Sequence, residues 1–508
     1  MTQGAMGNLI NRYWAVLRKC RVKNAVSRMV LAGALLAAPL FAEGLSSVTG
    51  GPGMVWAGTY SLDNQAQDFA HTGKSQTDDA KSSGRTGSVG TEHAGDFIYG
   101  GLATTPSSQS YNSIASGNNL TIEGDSSTSF SKTAIAGYAS NGGSGSSTAS
   151  NNVLTVTNAL FDNNGAYITQ TGIVGGMADF QSGDVLGKDA IADNNTVIVQ
   201  REGSKVRIRV LGAHASHNDY SQTVGIARAN GNSVDIRDGA WVIGAVLGAE
   251  AIGDRELEEG YAEANGNTVK ISNATIGEVD GSTARNPVTG ASVNAMRVQN
   301  SYGNTVEISG SVLTGGHAQE DSKSYVLALS IIAGADPVST RDNIVRFSDS
   351  EIDGYVSGTY LETHGGSAEA SGTRVTVQGS KVGGDVKGDY VSSTGGDAIA
   401  QGGSVSVLNN STVGGIITGA FTAVVGTISA DSRASGNTLT IENSKVGSYV
   451  YGGLAMNWSD GIAEASGNTL DLKNVNALSL IMPSFAQNNG SGKAVAEGNT
   501  VTSQGGTL

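Results

Sequence analysis

Residues 303–308 read GNTVEI, 436–441 read GNTLTI and 467–472 read GNTLDL. The same phrase runs the length of the chain with modest drift. It reads NNLTI from Asn118, NVLTV from Asn152, NTVIV from Asn195, NSVDI from Asn232, NTVKI from Asn267, NTVEI from Asn304 and NIVRF from Asn343. It continues as TRVTV from Thr373, GSVSV from Gly403, NTLTI from Asn437, NTLDL from Asn468 and NTVTS from Asn499. A fixed phrase recurring at a spacing of tens of residues is the mark of a repeat architecture.

Within each unit the apolar residues alternate with polar ones. Val269 and Ile271 flank Lys270, and Val306 and Ile308 flank Glu307. Period two places branched side chains on one face of a strand and charges on the other. A second apolar segment follows, as in SKVGGDVKGDYV (380–391) and STVGGIITGAFTAVV (411–425). A third, weaker one leads into the next Asn, as in DGIAEASGN (460–468). Gly pairs between segments allow sharp corners, because Gly takes positive φ without a steric penalty. Three short strands joined by corners make one coil that cannot bury its own apolar face. Stacked coils can, each strand pairing with its equivalent about 4.8 Å above. The expectation is an all-β solenoid of about twelve repeats, a rod roughly 55–60 Å long.

The recurrent Asn reads as structural. Asn tolerates the left-handed conformation, and its amide can hydrogen-bond local backbone or stack on equivalent amides in neighbouring coils. The ladder residues are Asn118, Asn152, Asn195, Asn232, Asn267, Asn304, Asn343, Asn437, Asn468 and Asn499, with a break at Thr373 and Gly403. Pro106, Pro287, Pro337 and Pro483 read as lying between strands, where no ladder hydrogen bond is lost. Residues 140–150 (SNGGSGSSTAS) and 252–262 read as coil insertions, and residues 60–95 as irregular. Tyr99 and Tyr451, which share the context YGGLA, read as flanking turns.

Composition agrees. Of 508 residues 73 are Gly, while only 15% are charged and 6% aromatic, which suits a repetitive β architecture better than a set of ordinary globular domains. The first 42 residues stand apart. Arg12, Arg18, Lys19, Arg21, Lys23 and Arg28 precede the apolar run MVLAGALLAAPLFA (29–42). A positive region, a short apolar region and small residues make a helical secretory signal peptide, with cleavage expected between Ala42 and Glu43 and, as a second choice, after Ala38. The run is shorter than the ~20 residues a bilayer span requires. Six of the 31 basic residues and Cys20, the only cysteine, leave with it, while all 45 acids stay. A mature chain this acidic disfavours nucleic acid as a partner.

This combination resembles the passenger domains of bacterial autotransporters, the type V secretion family. The GNTxxI corners and the YGGLA-type segments across 98–503 carry the resemblance, and INRYWAVLRKCRVKNAVSR (10–28) is similar to the extended signal region many members have. The resemblance implies export through the Sec machinery, a right-handed parallel β-helix, and presentation at the surface of a Gram-negative cell or release outside it. It also implies adhesion to a host-cell or matrix surface, or self-association. On this reading 1–42 is the leader, 43–97 a partly irregular N-terminal segment and 98–508 the passenger. The family's C-terminal barrel has no counterpart here, so the chain reads as a fragment whose translocator lies downstream or is supplied in trans.

Patterns that would carry chemistry are weak. Gly124-Asp125-Ser126 is similar to the GDS of serine hydrolases, but Ser127 and Thr128 follow, and the only Asp-x-x-His, Asp68 to His71, lies upstream. His214, His217 and Asp219 make a poor metal set without a partner cluster. Lys387-Gly388-Asp389 is similar to an integrin-binding tripeptide, and Arg255–Glu259 (RELEE) reads as a solvated acidic loop. Nothing calls for a cofactor or a catalytic residue. The alternative to an adhesin is a β-helical enzyme acting on polysaccharide, which needs acids gathered on one face. The outward positions Asp235, Lys270, Glu307, Arg346, Thr376 and Ser406 instead alternate in charge.

Overall fold

The computed structural model describes residues 54–56 and 80–507, apart from 85, 92–96, 106–110, 131–132, 163–171, 181–188, 218–224, 254–260, 278–286, 299–300, 315–323, 335, 427–428 and 478–479. The leader with its Ala42–Glu43 bond, Asp68, His71, Asp219 and the acidic run at 255–259 lie outside these residues. No described residue is α-helical, and no described helix is long and apolar enough to cross a membrane.

The chain is a parallel β-solenoid. One complete turn shows the plan. Ser147–Ser150 forms a third-wall strand, Val153–Thr157 a five-residue strand, Leu160–Phe161 a two-residue strand and Gly172–Phe180 a long strand. Equivalent strands pair in parallel with the turns below and above; Val153–Thr157, for example, pairs with Asn119–Glu123 and Thr196–Gln200. The long strands build a 13-stranded sheet, the five- and two-residue strands a 23-stranded one, and the third wall divides into two seven-stranded sheets. Ten turns carry all four strands, from the one beginning at Ser113–Ser116 to the one ending at Val450–Asn457. The repeat phrase predicts twelve. The other two lie in turns of a different build: in Thr469–Ala477 the five- and two-residue strands run on as one, and Thr500–Thr507 has no long strand after it in this chain.

The corners follow from backbone geometry. The residue immediately before every ladder position has positive φ: Gly at nine of them, Asn151, Asn194 and Asp342 at the rest. The left-handed residue is therefore the one before the ladder Asn, not the Asn itself, which is why Gly dominates that place. A second left-handed residue, such as Asn158, Asn273 or Gly310, turns the chain between the five- and two-residue strands.

Alternation builds the core. In Thr196–Gln200 and its equivalents the branched residues are buried and their neighbours half-exposed. Val199, Ile236, Ile271, Ile308 and Phe347 stack inside as one apolar column. A second interior cluster is rich in alanine, Ala213, Ala249 and Ala262 among them, where the third wall meets the long sheet. Small side chains let those walls approach closely.

Several readings of the sequence change. Ala80–Ser83 and Thr86–Val89 already pair in register with Ser113–Ser116 and Asn119–Ile122, so the stack takes in part of the segment read as irregular. The SNGGSGSSTAS stretch is no insertion: it closes one long strand and opens the next third-wall strand. Asn141 holds the intervening bend, donating from Nδ2 to the Tyr111 and Ser146 carbonyls (2.9 and 3.2 Å) and accepting from Gly143 N (2.8 Å). Pro287 opens one long strand and Pro483 lies within another. Pro483 stands where the register with the neighbouring strand steps from Met482 to Ser484. Tyr99 and Tyr451 sit within long strands, not beside turns.

Candidate functional site

The repeated asparagines form a buried line of amides. Asn118 donates from its backbone N–H (3.1 Å) and from Nδ2 (2.9 Å) to Oδ1 of Asn152. The same pair of bonds links Asn152 to Asn195, Asn195 to Asn232, Asn232 to Asn267, Asn267 to Asn304 and Asn304 to Asn343. It resumes from Asn437 to Asn468 and from Asn468 to Asn499. The second Nδ2 proton goes to a third-wall carbonyl one turn away: Asn152 to Ala115, Asn232 to Ala192, Asn468 to Ala434. Each such amide thus accepts two bonds and donates two while shut away from water, which satisfies an otherwise costly buried polar group.

A second ladder has no counterpart in the sequence reading. Ser311 N donates to Ser350 Oγ (3.0 Å), Ser350 N to Ser380 Oγ (3.1 Å) and Ser380 N to Ser411 Oγ (3.2 Å). The hydroxyls of Ser311, Ser350 and Ser380 in turn donate to the carbonyl two residues back. The signal was there as a Ser two places ahead of the short strand's inward residue, in GSVL, DSEI, GSKV and NSTV. Ser is too common in Gly-rich corners for that to stand out.

The break in the Asn line has an interior counterpart. Thr373 and Gly403 occupy the ladder positions there, and Asn343 Nδ2 turns instead to the hydroxyls of Thr340 (2.8 Å) and Thr359 (3.3 Å). Asp389, fully buried, sits opposite Gly403, its Oδ2 only 3.3 Å from where a Cβ on that glycine would lie. This removes the integrin-like reading of Lys387-Gly388-Asp389, because the aspartate points into the rod.

The outer side of the long sheet carries varied chemistry, much of it covered. Tyr99, Leu102, Ile135, Tyr138, Val174 and Leu211 form a cluster separate from both interior ones on the sheet's other side, yet they are shut away from water like the core, at 1–6% exposed. Arg209 and Glu250, from adjacent turns, meet there at 2.8 Å, and His214 Nδ1 lies 2.9 Å from the same Glu250 oxygen. Burial pushes the Glu250 carboxyl up, but Arg209 and His214 together outweigh it and hold it well below the usual carboxylate range. His214 is thus engaged with a carboxylate; the side chains of His217 and Asp219 lie outside the described residues. Among the described residues no group of three His, Cys, Asp or Glu is placed to hold a metal.

Further along, Tyr360, Tyr390 and Phe421 stack at 4.9 and 5.1 Å with their planes 3° and 14° apart. Tyr325 and Tyr355 stack likewise at 5.4 Å. The stacked faces cover one another and only edges are left outward, so Tyr390 is no open platform for a sugar ring. Tyr451 lies between Tyr449 and Phe485.

The remaining candidates are structural or dispersed. Asp125 takes hydrogen bonds from the backbone N–H groups of Thr128 (2.7 Å) and Ser127 (2.9 Å) and from both hydroxyls, which hold its carboxyl well below the usual range. The Ser126 hydroxyl donates to the Asp125 carbonyl at 2.6 Å. This is a turn, not a nucleophile with its base. The outward column Asp235, Lys270, Glu307, Arg346, Thr376, Ser406 is in continuous register, and Arg346 pairs with Glu307 at 2.5 Å. Acids elsewhere are similarly matched: Asp193 and Glu263 with Arg228, Asp336 with Arg297, Glu351 with Lys381, Glu464 with Arg433.

No known protein family, no curated protein and no solved structure matches this chain.

Proposed function

We infer that this chain is the passenger of an autotransporter: a right-handed solenoid exported through the Sec machinery, held at the surface of a Gram-negative cell, and used for adhesion or self-association. The observation that supports this reading is the long face. Its outward chemistry changes along the rod from the Arg209–Glu250–His214 group, partly open to water, to the edges of the Tyr360–Tyr390–Phe421 stack. A stiff rod presenting many modest contacts gains strength by multivalency when two cell surfaces meet. The matched acids along the other faces favour contact over glycan cleavage, which needs carboxylates gathered at one point.

The test is display of residues 43–508 on a surface barrel, compared with the empty barrel. Clumping of cells, or binding to host cells or matrix, is expected from the displayed rod. If both measures match the empty barrel, the contact reading falls.

A further inference from the structure

The exchange of side chains between Asp389 and Gly403 has a physical consequence of its own. In the turns at Gly101, Gly137, Gly176 and Gly453 the long strand presents a glycine whose Cβ, if added, would strike the ladder amide of Asn118, Asn152, Asn195 or Asn468 at 2.3–2.5 Å. In register with those glycines, the long sheet carries Asp389 at the turn where the ladder residue is Gly403. The polar group has crossed the interior: the side chain missing from one wall is supplied by the other. The two are not chemically equivalent. An asparagine amide both donates and accepts and has no charge to lose, whereas a carboxyl donates only while protonated.

We propose that this turn is a pH-sensitive joint in the rod, in which the neutral Asp389 carboxyl stands in for the missing ladder amide and its ionisation loosens the stack between Thr373 and Asn437. The surroundings fit a neutral group. From its own sheet Asp389 is flanked by Thr359 and Ala420, and from the wall opposite it meets Thr373 and Gly403, beyond which lies Asn437. None of these is ionisable. Lys387 and Tyr390 on the same strand are part-exposed on the outer side, with Lys387 engaged by Asp385 at 2.9 Å. Neither carboxyl oxygen makes a well-aligned hydrogen bond, although the Thr373 and Thr359 hydroxyls lie close enough to act on it. Across the gap, Gly403 N still donates to Asn437 Oδ1 at 3.1 Å, so the ladder above depends on this turn staying closed.

Burial pushes the Asp389 carboxyl up to about 6, the two hydroxyls pulling the other way and no charged side chain contributing. The ordinary value is 3.8. Below that value the folded and unfolded chains both carry the proton and the joint is at its tightest. Between about pH 4 and about pH 6 the unfolded chain has lost its proton and the folded one has not, so stability falls as pH rises. Above the folded value the loss is complete.

Native-state hydrogen exchange on the full chain tests this. Protection of the amides around Val375 and Val405 is compared with that around Val234 in the same molecule, at pH 4.5 and pH 8, after correction for intrinsic rates. We expect opening of the 373–405 strands, relative to the reference, to increase with pH by roughly twentyfold to thirtyfold, because at pH 4.5 the unfolded carboxyl is already mostly ionised and about 1.4 of the two pKa units remain. Asp389→Asn is expected to abolish that pH dependence. The double variant Asp389→Ala with Gly403→Asn recreates the Ala213–Asn232 pairing and should be protected equally at both pH values, which keeps the test open if the single variant folds poorly. A wild-type ratio that stays flat between the two pH values would falsify the joint. So would an unchanged rise in Asp389→Asn or in the double variant. None of these readouts depends on where the rod is displayed.

Discussion

Asn232 and Gly403 stand at the same place in two turns of one rod, and their interiors are solved differently. Around Asn232 one uncharged side chain completes four hydrogen bonds, reaching Asn195, Asn267 and the Ala192 carbonyl. Around Gly403 the space is shared by a carboxyl from the opposite wall and two threonine hydroxyls that are 3.2 Å apart. The difference teaches that the repeat tolerates exchange of partners so long as the interior volume is filled. It also shows where tolerance ends, since the carboxyl brings a proton that the amide never had.

The comparison breaks most directly at its intact end. Asn232→Ala leaves the Asn195 N–H and the Ala192 carbonyl without partners in a dry interior, and should cost about 4 kcal/mol, several unsatisfied groups at about 1–3 kcal/mol each. Thr373→Ala, at the already broken position, should cost only about 1 kcal/mol. Urea unfolding followed by circular dichroism, run on both variants, measures the gap between them. Equal losses would mean that the ladder is no stronger than its break.

A second contrast is between the two buried carboxyls, Asp389 inside the rod and Glu250 on its long face. Glu250 is held ionised by Arg209 and His214, so Glu250→Gln leaves Arg209 without its partner and should cost about 3 kcal/mol. Its folded pKa is depressed, so its contribution is present above the ordinary value of 4.5 and is lost as pH falls below it. Asp389 has the opposite sign. Stability of wild type minus variant, followed from pH 3 to pH 8, should therefore rise with pH for Glu250→Gln and fall for Asp389→Asn. Two curves of the same slope would remove the distinction.

How much of this the sequence discloses depends on parity. In the five-residue strands, period two holds without interruption, so Val306, Glu307 and Ile308 could be assigned to their faces by reading alone. In the long strands an irregularity at the glycine, shared by neighbouring turns, spoils the count. Val386 is inside and Lys387 outside, yet Asp389, two residues on, is inside again and Tyr390 outside. A reader stepping by two places Asp389 beside Lys387 and sees a surface tripeptide; the two successive buried residues Gly388 and Asp389 reverse it. The serine ladder was hidden for a different reason, because a Ser at a corner carries little information until its hydroxyl is seen to accept from the turn next to it. The phrase count of twelve overshot the ten complete turns because the phrase marks one strand, and a turn needs the rest of its circuit.

The smallest effect lies on the outside of the turns whose inside was just considered. Glu307 and Arg346 are opposite each other on the five-residue strands, with side chains 39% and 55% exposed. Directly inward, the same strands carry Val306 and Val345, both fully buried. Water screens the outer pair and each long side chain loses rotamer freedom to hold it, so a double-mutant cycle with Glu307→Gln and Arg346→Met should give about 0.3 kcal/mol of coupling. Raising the salt from about 0.1 M to about 1 M shrinks the Debye length from roughly 10 to 3 Å and should erase it. The inner position answers differently: Val345→Ala should cost about 2 kcal/mol and be indifferent to salt, because it removes packed methyl groups and not charge. A coupling at the outer pair that survives high salt would mean that this face is drier than its exposure indicates, and that its charges belong with Glu250 and Arg209 as part of a built contact surface.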